Sequence, residues 1–360
     1  MVVSISPESR ASFAAHFGLS LAAAHGKLAT LFRLLGADRV LDMQLAHRVA
    51  VLEARLEFEE HLRACEREGR ARPLLASSCP GWICFAEKSH PEALPYVSRV
   101  RSPQQIMGQI VKKRLAAEAG WEPARVYHAC LMMCYDKKLE ATRDDFCENG
   151  VRHVDTVLAS SELLTLLDER RLRFEQLEES ADPGGERADL CGDSEGSGAQ
   201  AADLFRHAAW VRHGVRVEQV PFRAGRNPDV REATLEVDGR VVLKVGVANG
   251  FRNIQNLIRK LKTSDLHFVE VMACPGGCLN GGGQIRAEQA ADREAAKAKL
   301  RAVASVFATA APDREDFREA LLPFYRAFVG GEPGSEAAKA LFHTQYHAVP
   351  PMESSLAVNW

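Results

Sequence analysis

Two closely spaced cysteines among glycines are the residues of this sequence best suited to chemistry. Cys274 and Cys278 stand four residues apart in the stretch FVEVMACPGGCLNGGGQ, residues 268–284. Glycine at this density costs conformational entropy on folding, so we expect it where the main chain passes close to a bulky group and turns its N–H groups toward it. Thiolates surrounded by N–H donors suit an iron–sulfur cluster, because those hydrogen bonds spread its negative charge. The stretch therefore predicts a cluster-binding loop.

Two other cysteines directly follow predicted strands. Cys79 lies in SSCPGW, residues 77–82, which is predicted to be a tight loop after the apolar residues 74–76, and Cys134 follows the strand predicted for residues 126–133. Since open α/β sheets bind ligands at the carboxyl ends of their strands, we expect these two thiols to meet the pair in the glycine-rich loop. Four thiolates are the ligand set of a 4Fe–4S cluster. The remaining cysteines are expected to be ordinary small core side chains: Cys65, Cys84, Cys130, Cys147 and Cys191.

Zinc is an alternative ligand for four cysteines. Structural zinc sites usually take their ligands in closely spaced pairs from short loops, whereas Cys79 and Cys134 are unpaired in the sequence. No two cysteines are spaced CxxC, so the sequence contains neither a thioredoxin-type redox motif nor a ferredoxin-type series of ligands. The pattern favours a cluster and leaves zinc open.

Composition limits the class of protein. The 360 residues are 46% hydrophobic and 26% charged, as in ordinary globular domains. A net charge of −2 and an isoelectric point near 6.6 give no support for binding to nucleic acid or to a membrane surface. We expect neither a membrane span nor a signal peptide, because no apolar run approaches the roughly 20 residues of a span. Nine scattered cysteines indicate a reducing compartment rather than a disulfide framework.

Predicted strands and helices alternate along the first half of the chain. The predicted strands are residues 2–6, 40–43, 74–76, 126–133 and 154–159. The predicted helices are residues 7–17, residues 21–35, a long amphipathic helix after residue 43, and residues 102–120. This alternation indicates an α/β fold with a largely parallel sheet and helices on its faces.

The second half combines an insertion, a hairpin and further helices. Residues 178–200 are acidic and rich in glycine, which predicts a flexible surface insertion. Asp238 and Gly239 between two alternating apolar runs predict a two-residue hairpin turn. A helix over residues 254–261 carries a basic face, which we interpret as solvated surface, with an acidic partner as the alternative. From residue 285 the sequence predicts charged helices as far as His347, followed by a polar tail.

At SCPGW, CYDKKLEA and EVMACPGGCLNGGGQ the sequence resembles the iron-only hydrogenases and their eukaryotic non-hydrogenase relatives. The resemblance extends to VVSISPESRASFAAHFG, VANGFRNIQNLIRKLK and HTQYH, and so covers nearly the whole chain. It is strongest to the cytosolic iron–sulfur assembly factors, also called nuclear prelamin A recognition factor-like proteins. It implies a two-lobed α/β domain with mostly parallel sheets, a cluster between the lobes and a helical C-terminal segment. The implied parts are residues 1–287 (large domain), 288–349 (small-subunit-like segment) and 350–360 (tail).

The resemblance also implies roles for individual residues. Those that match the ligands of one 4Fe–4S cluster are Cys79, Cys134, Cys274 and Cys278. In hydrogenases the last of these also bridges to a two-iron subcluster, and the lysine that matches Lys137 donates a hydrogen bond to a cyanide of that subcluster.

Three departures bear on the function that the resemblance implies. Ser78 stands where hydrogenases have a proton-relay cysteine, and a serine hydroxyl has a far higher pKa than a thiol. Gln284 and Ile285 stand where hydrogenases have Gln-Pro. The assembly factors also carry a second cluster, held by four cysteines upstream of the segment that matches Val2. Either this sequence is truncated or this relative lacks the second cluster, and the residues leave both open. We therefore expect a non-catalytic adaptor that carries a cluster. The alternatives are a redox enzyme that turns over hydrogen and, third, a fold retained only for protein interaction.

The C-terminal residue is the predicted partner-binding residue. Trp360 places a large apolar ring and a free carboxylate on one residue, after a proline pair at residues 350–351. The resemblance implies that this aromatic residue is recognised by the cytosolic iron–sulfur targeting complex, usually after an acidic residue; here Asn359 precedes it. Packing of the indole on its own domain is the alternative. The implied location is the cytoplasm, with the nucleus as a second compartment.

Overall fold

The computed structural model describes residues 1–180, 197–287, 292–309 and 317–350. Its strands are β1 Val2–Ile5, β2 Arg39–Asp42, β3 Leu74–Leu75, β4 His128–Met132, β5 Cys147–Glu148, β6 Val151–Arg152, β7 Thr156–Ala159, β8 Arg223–Ala224, β9 Val230–Val237, β10 Arg240–Asn249 and β11 Phe268–Met272. Cys191, most of the predicted acidic insertion, and Trp360 lie outside the described residues.

The α-helices, in chain order, are α1 Pro7–Phe17, α2 Leu21–Leu34, α3 Gln44–Glu68, α4 Pro80–Ser89, α5 Pro103–Gln109, α6 Ala116–Glu118, α7 Asp136–Ala141, α8 Ser160–Glu169, α9 Ala199–His213, α10 Phe251–Lys260, α11 Arg293–Phe307, α12 Arg318–Phe324 and α13 Glu336–Phe342. Two π-helical turns, Ile110–Leu115 and Tyr325–Val329, continue α5 and α12. No helix in these ranges is long and apolar enough to cross a membrane.

The first sheet has the order β2-β1-β4-β7 and is parallel throughout. Successive side chains of a strand point to opposite faces, and in β1 both faces are buried. Val3 and Ile5 pack with side chains of α1, α2 and α8, whereas Val2 faces the opposite core. Ser4 shares the face of Val2 and is hydrogen-bonded to His128 over 2.8 Å, so its hydroxyl is satisfied although it is buried.

The second sheet has the order β3-β11-β10-β9-β8. In this sheet β11 is parallel to both of its neighbours, β3 and β10. The other two pairs, β10 with β9 and β9 with β8, are antiparallel. The predicted hairpin turn is present, with positive φ at Asp238 and Gly239. A two-residue turn can join only antiparallel strands. The expectation of largely parallel sheets is therefore confirmed for the first sheet, while the second is mixed.

The two sheets share a central helical layer. Its core combines side chains of α3, α5 and α9 with apolar residues of both sheets, among them Val2 and Phe268. On the outer face of the second sheet, α4 and α10 pack against Val269 and Val271. The chain thus has two α/β lobes joined by common helices.

The segment around Cys79 differs from the predicted tight loop. Only residues 76–79 are loop, and α4 begins at Pro80. Proline suits the first helical position, because its fixed φ is helical and its missing N–H has no partner to lose there. Cys79 consequently occupies the N-cap of a helix.

Candidate functional site

The four predicted thiols line one cavity of about 140 Å³. By the same measure a single water molecule needs about 10–15 Å³, so the cavity is large enough for a polyatomic group. Its cysteines come from three segments of both lobes: Cys79 before α4, Cys134 after β4, and Cys274 and Cys278 after β11. The other described cysteines lie outside the cavity lining.

The glycines after Cys278 allow main chain to pack against main chain. A Cβ added at Gly281 would lie within 3.0 Å of the main-chain oxygen of Met133, and one at Gly283 would lie 3.2 Å from Cys134 Cα and from the same oxygen. The N–H of Gly283 donates to the same Met133 oxygen over 3.0 Å. The predicted reason for the glycines was approach to a bulky bound group. These two instead permit the Cys278 loop to contact the segment that carries Cys134.

Main-chain N–H groups point at the thiols. The N–H of Ala273 donates to Cys79 Sγ over 3.3 Å. The N–H groups of Trp82 and Gly282 also oppose the rise in pKa that burial causes at Cys79 and Cys274, respectively. Such donors delocalise negative charge on sulfur, which is the environment that iron–sulfur ligands require.

Burial nevertheless raises the pKa of all four thiols. The pKa of Cys134 rises to about 12. For Cys278 the Glu8 carboxylate and the other three cysteines add to the effect of burial. Four thiolates cannot coexist here without a cation, because their charges repel one another in a region of low dielectric. Metal ions would supply the missing positive charge, and their binding would release protons.

The donor set fits a cluster better than a single ion. Within the described ranges, no three His, Cys, Asp or Glu side chains come close enough together to hold one metal ion. A zinc ion needs each sulfur at about 2.3 Å, which would bring the four sulfurs nearly into contact. A four-iron cluster holds its ligands farther apart, one on each iron. Four cysteines from three segments around one cavity therefore suit a cluster with one thiolate on each iron.

Lys137 lies in the cavity wall and is 5% exposed, so it is not a surface lysine. Its Nζ donates to the main-chain oxygen of Ser78 over 3.0 Å and pairs with Glu140 Oε2 at 2.6 Å. Burial acts to lower the pKa of Lys137, but Glu140 and then Cys134 and Cys278 outweigh it and raise the pKa. A permanent positive charge thus stands beside the thiols.

Sequence reasoning missed a buried carboxylate beside the cavity. Glu270 is 1% exposed in the middle of β11. It accepts the N–H groups of Gly198 and Ala201 at the start of α9, over 2.7 and 2.9 Å. Burial raises the pKa of Glu270. The signal was present in the sequence, because a glutamate inside an otherwise apolar strand needs a buried partner.

Further polar side chains of the cavity lining were also missed, among them Glu8, His47 and Gln104. The Nε2 of Gln104 donates to the main-chain oxygen of Lys137 over 3.1 Å. Burial lowers the pKa of His47, so its imidazole is neutral at physiological pH. These residues lie on α1, α3 and α5, and no local pattern marks them.

Comparisons with known proteins agree with this geometry. The family described as "Iron only hydrogenase large subunit, C-terminal domain" matches residues 1–282. The chain is 41% identical over 371 residues to the "Cytosolic Fe-S cluster assembly factor narfl" of Danio rerio, covering all of this chain and 89% of that protein. It is 42% identical over 370 residues to the "Cytosolic iron-sulfur assembly component 3" of Rattus norvegicus, covering all of this chain and 77% of that protein.

Solved structures give the same answer for the fold. An apo FeFe-hydrogenase from Chlamydomonas reinhardtii superposes with a TM-score of 0.80 at 28% identity, over 96% of this chain and 94% of the hydrogenase chain. The predicted α/β class is therefore confirmed. Together with the family match over residues 1–282, this shows that the chain belongs to the iron-only hydrogenase large subunit family, through its C-terminal domain.

Proposed function

We propose that this chain is an assembly factor for cytosolic iron–sulfur proteins and carries one 4Fe–4S cluster. The proposed ligands are Cys79, Cys134, Cys274 and Cys278. The observation that carries the proposal is the convergence of these thiols, with their N–H donors, on one cavity. The names of the relatives, which are assembly factors at about 41% identity, support the same function.

The residues of this chain hold the cluster and balance its charge. A bound 4Fe–4S cluster supplies an iron–sulfur unit that can accept or donate an electron. Thiolates from three distant segments connect the two lobes. The Lys137 ammonium offsets their negative charge, and its hydrogen bond to Ser78 fixes the loop that ends at Cys79. We therefore expect the chain without its cluster to be markedly less stable.

A hydrogen-evolving enzyme is the second candidate, favoured by the superposition on hydrogenases. It requires a group that passes protons to the metal site. Ser78 lines the cavity at the relay position, and a serine hydroxyl relays protons poorly near neutral pH. The names of the relatives also describe assembly factors rather than enzymes. The adaptor function is therefore the better supported.

Anaerobic reconstitution tests the proposal. Purified protein is incubated with iron and sulfide, and bound iron, bound sulfide and visible absorbance are measured. We expect about four iron and four sulfide per chain. Hydrogen evolution with a reduced mediator is assayed on protein isolated anaerobically from its own cells, which would carry any two-iron subcluster, and we expect none. One iron or fewer per chain would refute the cluster, and sustained hydrogen evolution would refute the adaptor.

We further propose that Trp360 is recognised by the cytosolic iron–sulfur targeting complex, and that the protein works in the cytoplasm and also in the nucleus. The indole ring and the terminal carboxylate suit a pocket with an apolar wall and N–H or Arg donors. Deleting Asn359 and Trp360 should abolish recovery of the complex in pull-downs and leave the iron content unchanged. Equal recovery by full-length and truncated protein would contradict this role.

A further inference from the structure

The last described residues form a strap from α13 back to α4. We call residues 343–349 the C-terminal strap. Near its start, His343 forms an antiparallel bridge with Val100, and the N–H of Thr344 donates to the Arg99 carbonyl over 2.8 Å. The side chain of His343 also contacts Glu53 Oε2 at 3.1 Å. These contacts fix the strap to the segment that leads into α5.

The far end of the strap is bonded to one residue of α4. The N–H of His347 donates to the Glu87 carboxylate over 3.2 Å, and the N–H of Val349 donates to the Glu87 carbonyl over 2.9 Å. Glu87 is 3% exposed. Because α4 follows directly after Cys79, the strap holds the helix that carries a proposed ligand at its N-cap.

Tyr346 connects the middle of the strap to the same ligand. Its ring packs against the core cluster that contains Cys79 and Trp82. Its hydroxyl lies beside the side chain of Ser77, two residues before Cys79. The Ser77 hydroxyl donates to the Val100 carbonyl over 2.6 Å. Tyr346 therefore packs against the loop that this hydrogen bond holds in place before Cys79.

A buried ion pair extends this connection to a second proposed ligand. Arg143 follows α7, the helix that begins just after Cys134, and bonds both carboxylate oxygens of Glu87 over 2.7 Å. The Tyr346 ring lies 5.6 Å from the Arg143 guanidinium carbon. The strap therefore covers the contact that sets the spacing between α4 and α7.

We propose that Tyr346 and the C-terminal strap are positioning elements for Cys79 and Cys134. The inference rests on the proposed function, because it assumes that these cysteines hold a cluster. Cluster retention and order in the strap are then coupled, and the coupling acts equally in both directions. Since the tail follows directly after the strap, a protein that binds the tail acts on the strap's free end.

The substitution Tyr346→Leu tests the positioning role in the full-length, cluster-loaded protein. It removes the ring that packs beside Cys79 and lies near the Arg143 guanidinium. We measure the rate at which an iron chelator removes the cluster, well below the unfolding temperature. Loss of the ring's contact with Arg143, ~1 kcal/mol, predicts about fivefold faster release.

Phe317→Leu is the matched control. Phe317 is a buried aromatic residue of the same C-terminal segment, and its ring lies 4.6 Å from the guanidinium carbon of Arg55, on α3. This contact therefore leads away from α4, Ser77 and the strap. We expect the control variant to unfold more readily and to release iron at the wild-type rate. A purely structural role for Tyr346 would make the two variants alike, which would overturn the proposal.

Hydrogen exchange supplies a second readout. The amides of His347 and Val349 should exchange about fivefold more slowly in the loaded protein than in the protein without cluster, because the coupling is reciprocal. Identical exchange in the two states would overturn the proposal. A wild-type protein that binds no iron would instead refute the proposed function, so the two failures are distinguishable.

Discussion

Gly281 lies where the loop that carries Cys278 meets the segment that carries Cys134. A Cβ at this position would lie within 3.0 Å of the main-chain oxygen of Met133. The φ of −55° and ψ of 150° at Gly281 are accessible to alanine. The cost of Gly281→Ala is therefore steric. The added Cβ would press on the main-chain oxygen of Met133, directly before the proposed ligand Cys134. Main chain cannot move aside as the end of a flexible side chain would.

The size of the effect follows from this contact. Overpacking by one carbon costs ~1–3 kcal/mol, and the stiffer unfolded chain returns ~0.4–1 kcal/mol. The net loss is about 1–2 kcal/mol of stability. If Cys134 moves with the Met133 carbonyl, the chelator should remove iron from the variant about tenfold faster than from wild type. Urea unfolding and the rate of iron release under anaerobic conditions measure the two effects.

The neighbouring glycine provides the control. A Cβ at Gly282 would meet only Tyr135, with Cδ2 at 3.9 Å, which is an ordinary contact. Gly282→Ala also keeps the N–H that points at Cys274. This variant should retain wild-type stability and iron release. If the two alanine variants behaved alike, the close approach of the two loops would not be what holds Cys134 in place.

Two other predictions concern iron binding and pH. Cys274→Ala should lose most of its iron and unfold at a lower temperature than wild type. Cys84→Ala, outside the cavity lining, should keep the wild-type iron content and unfolding temperature. Full iron content in Cys274→Ala would contradict the ligand assignment. Burial lowers the pKa of His128 in the folded protein to about 4. Between about pH 6.5 and 4 the unfolded chain therefore binds more protons than the folded chain, so the free energy of unfolding decreases as the pH falls through that window. His128 contributes roughly 3 kcal/mol to this loss, and urea unfolding from pH 7.5 to 5 should show a shallower dependence for His128→Gln than for wild type.

The convergence of the four thiols was predictable because each stands beside a local signal in the sequence. Cys79 precedes a proline and a glycine, and Cys274 and Cys278 lie among glycines. Cys79, Cys134 and Cys274 also follow apolar runs that form strands. Carboxyl ends of parallel strands meet at one edge of a sheet, which explains why Cys79 and Cys274 meet, since β3 and β11 are neighbours. This rule does not explain the position of Cys134, because β4 lies in the other sheet. These signals lie within a few residues of the cysteines, so a linear reading can find them.

The contacts that support the thiols were not predictable, because they join segments far apart in the chain. Glu87 pairs with Arg143, and Glu270 caps a helix that begins at residue 199. Hydrophobic periodicity shows which face of an element is apolar. It carries no information about which buried acid meets which base across the core. The same limit explains why the glycines were predicted, but not the main-chain contact that two of them permit.

Lys137 shows how this limit bears on function. The resemblance to hydrogenases implies a hydrogen bond to a two-iron subcluster, which would make the lysine evidence for an enzyme. In the structure its ammonium bonds the Ser78 carbonyl and Glu140. These partners fix the Cys79 loop and keep a positive charge beside the thiols, two roles that also suit a 4Fe–4S cluster without a two-iron subcluster. The lysine therefore fits a cluster-carrying adaptor as well as an enzyme, and Ser78 at the relay position remains the residue that separates the two functions.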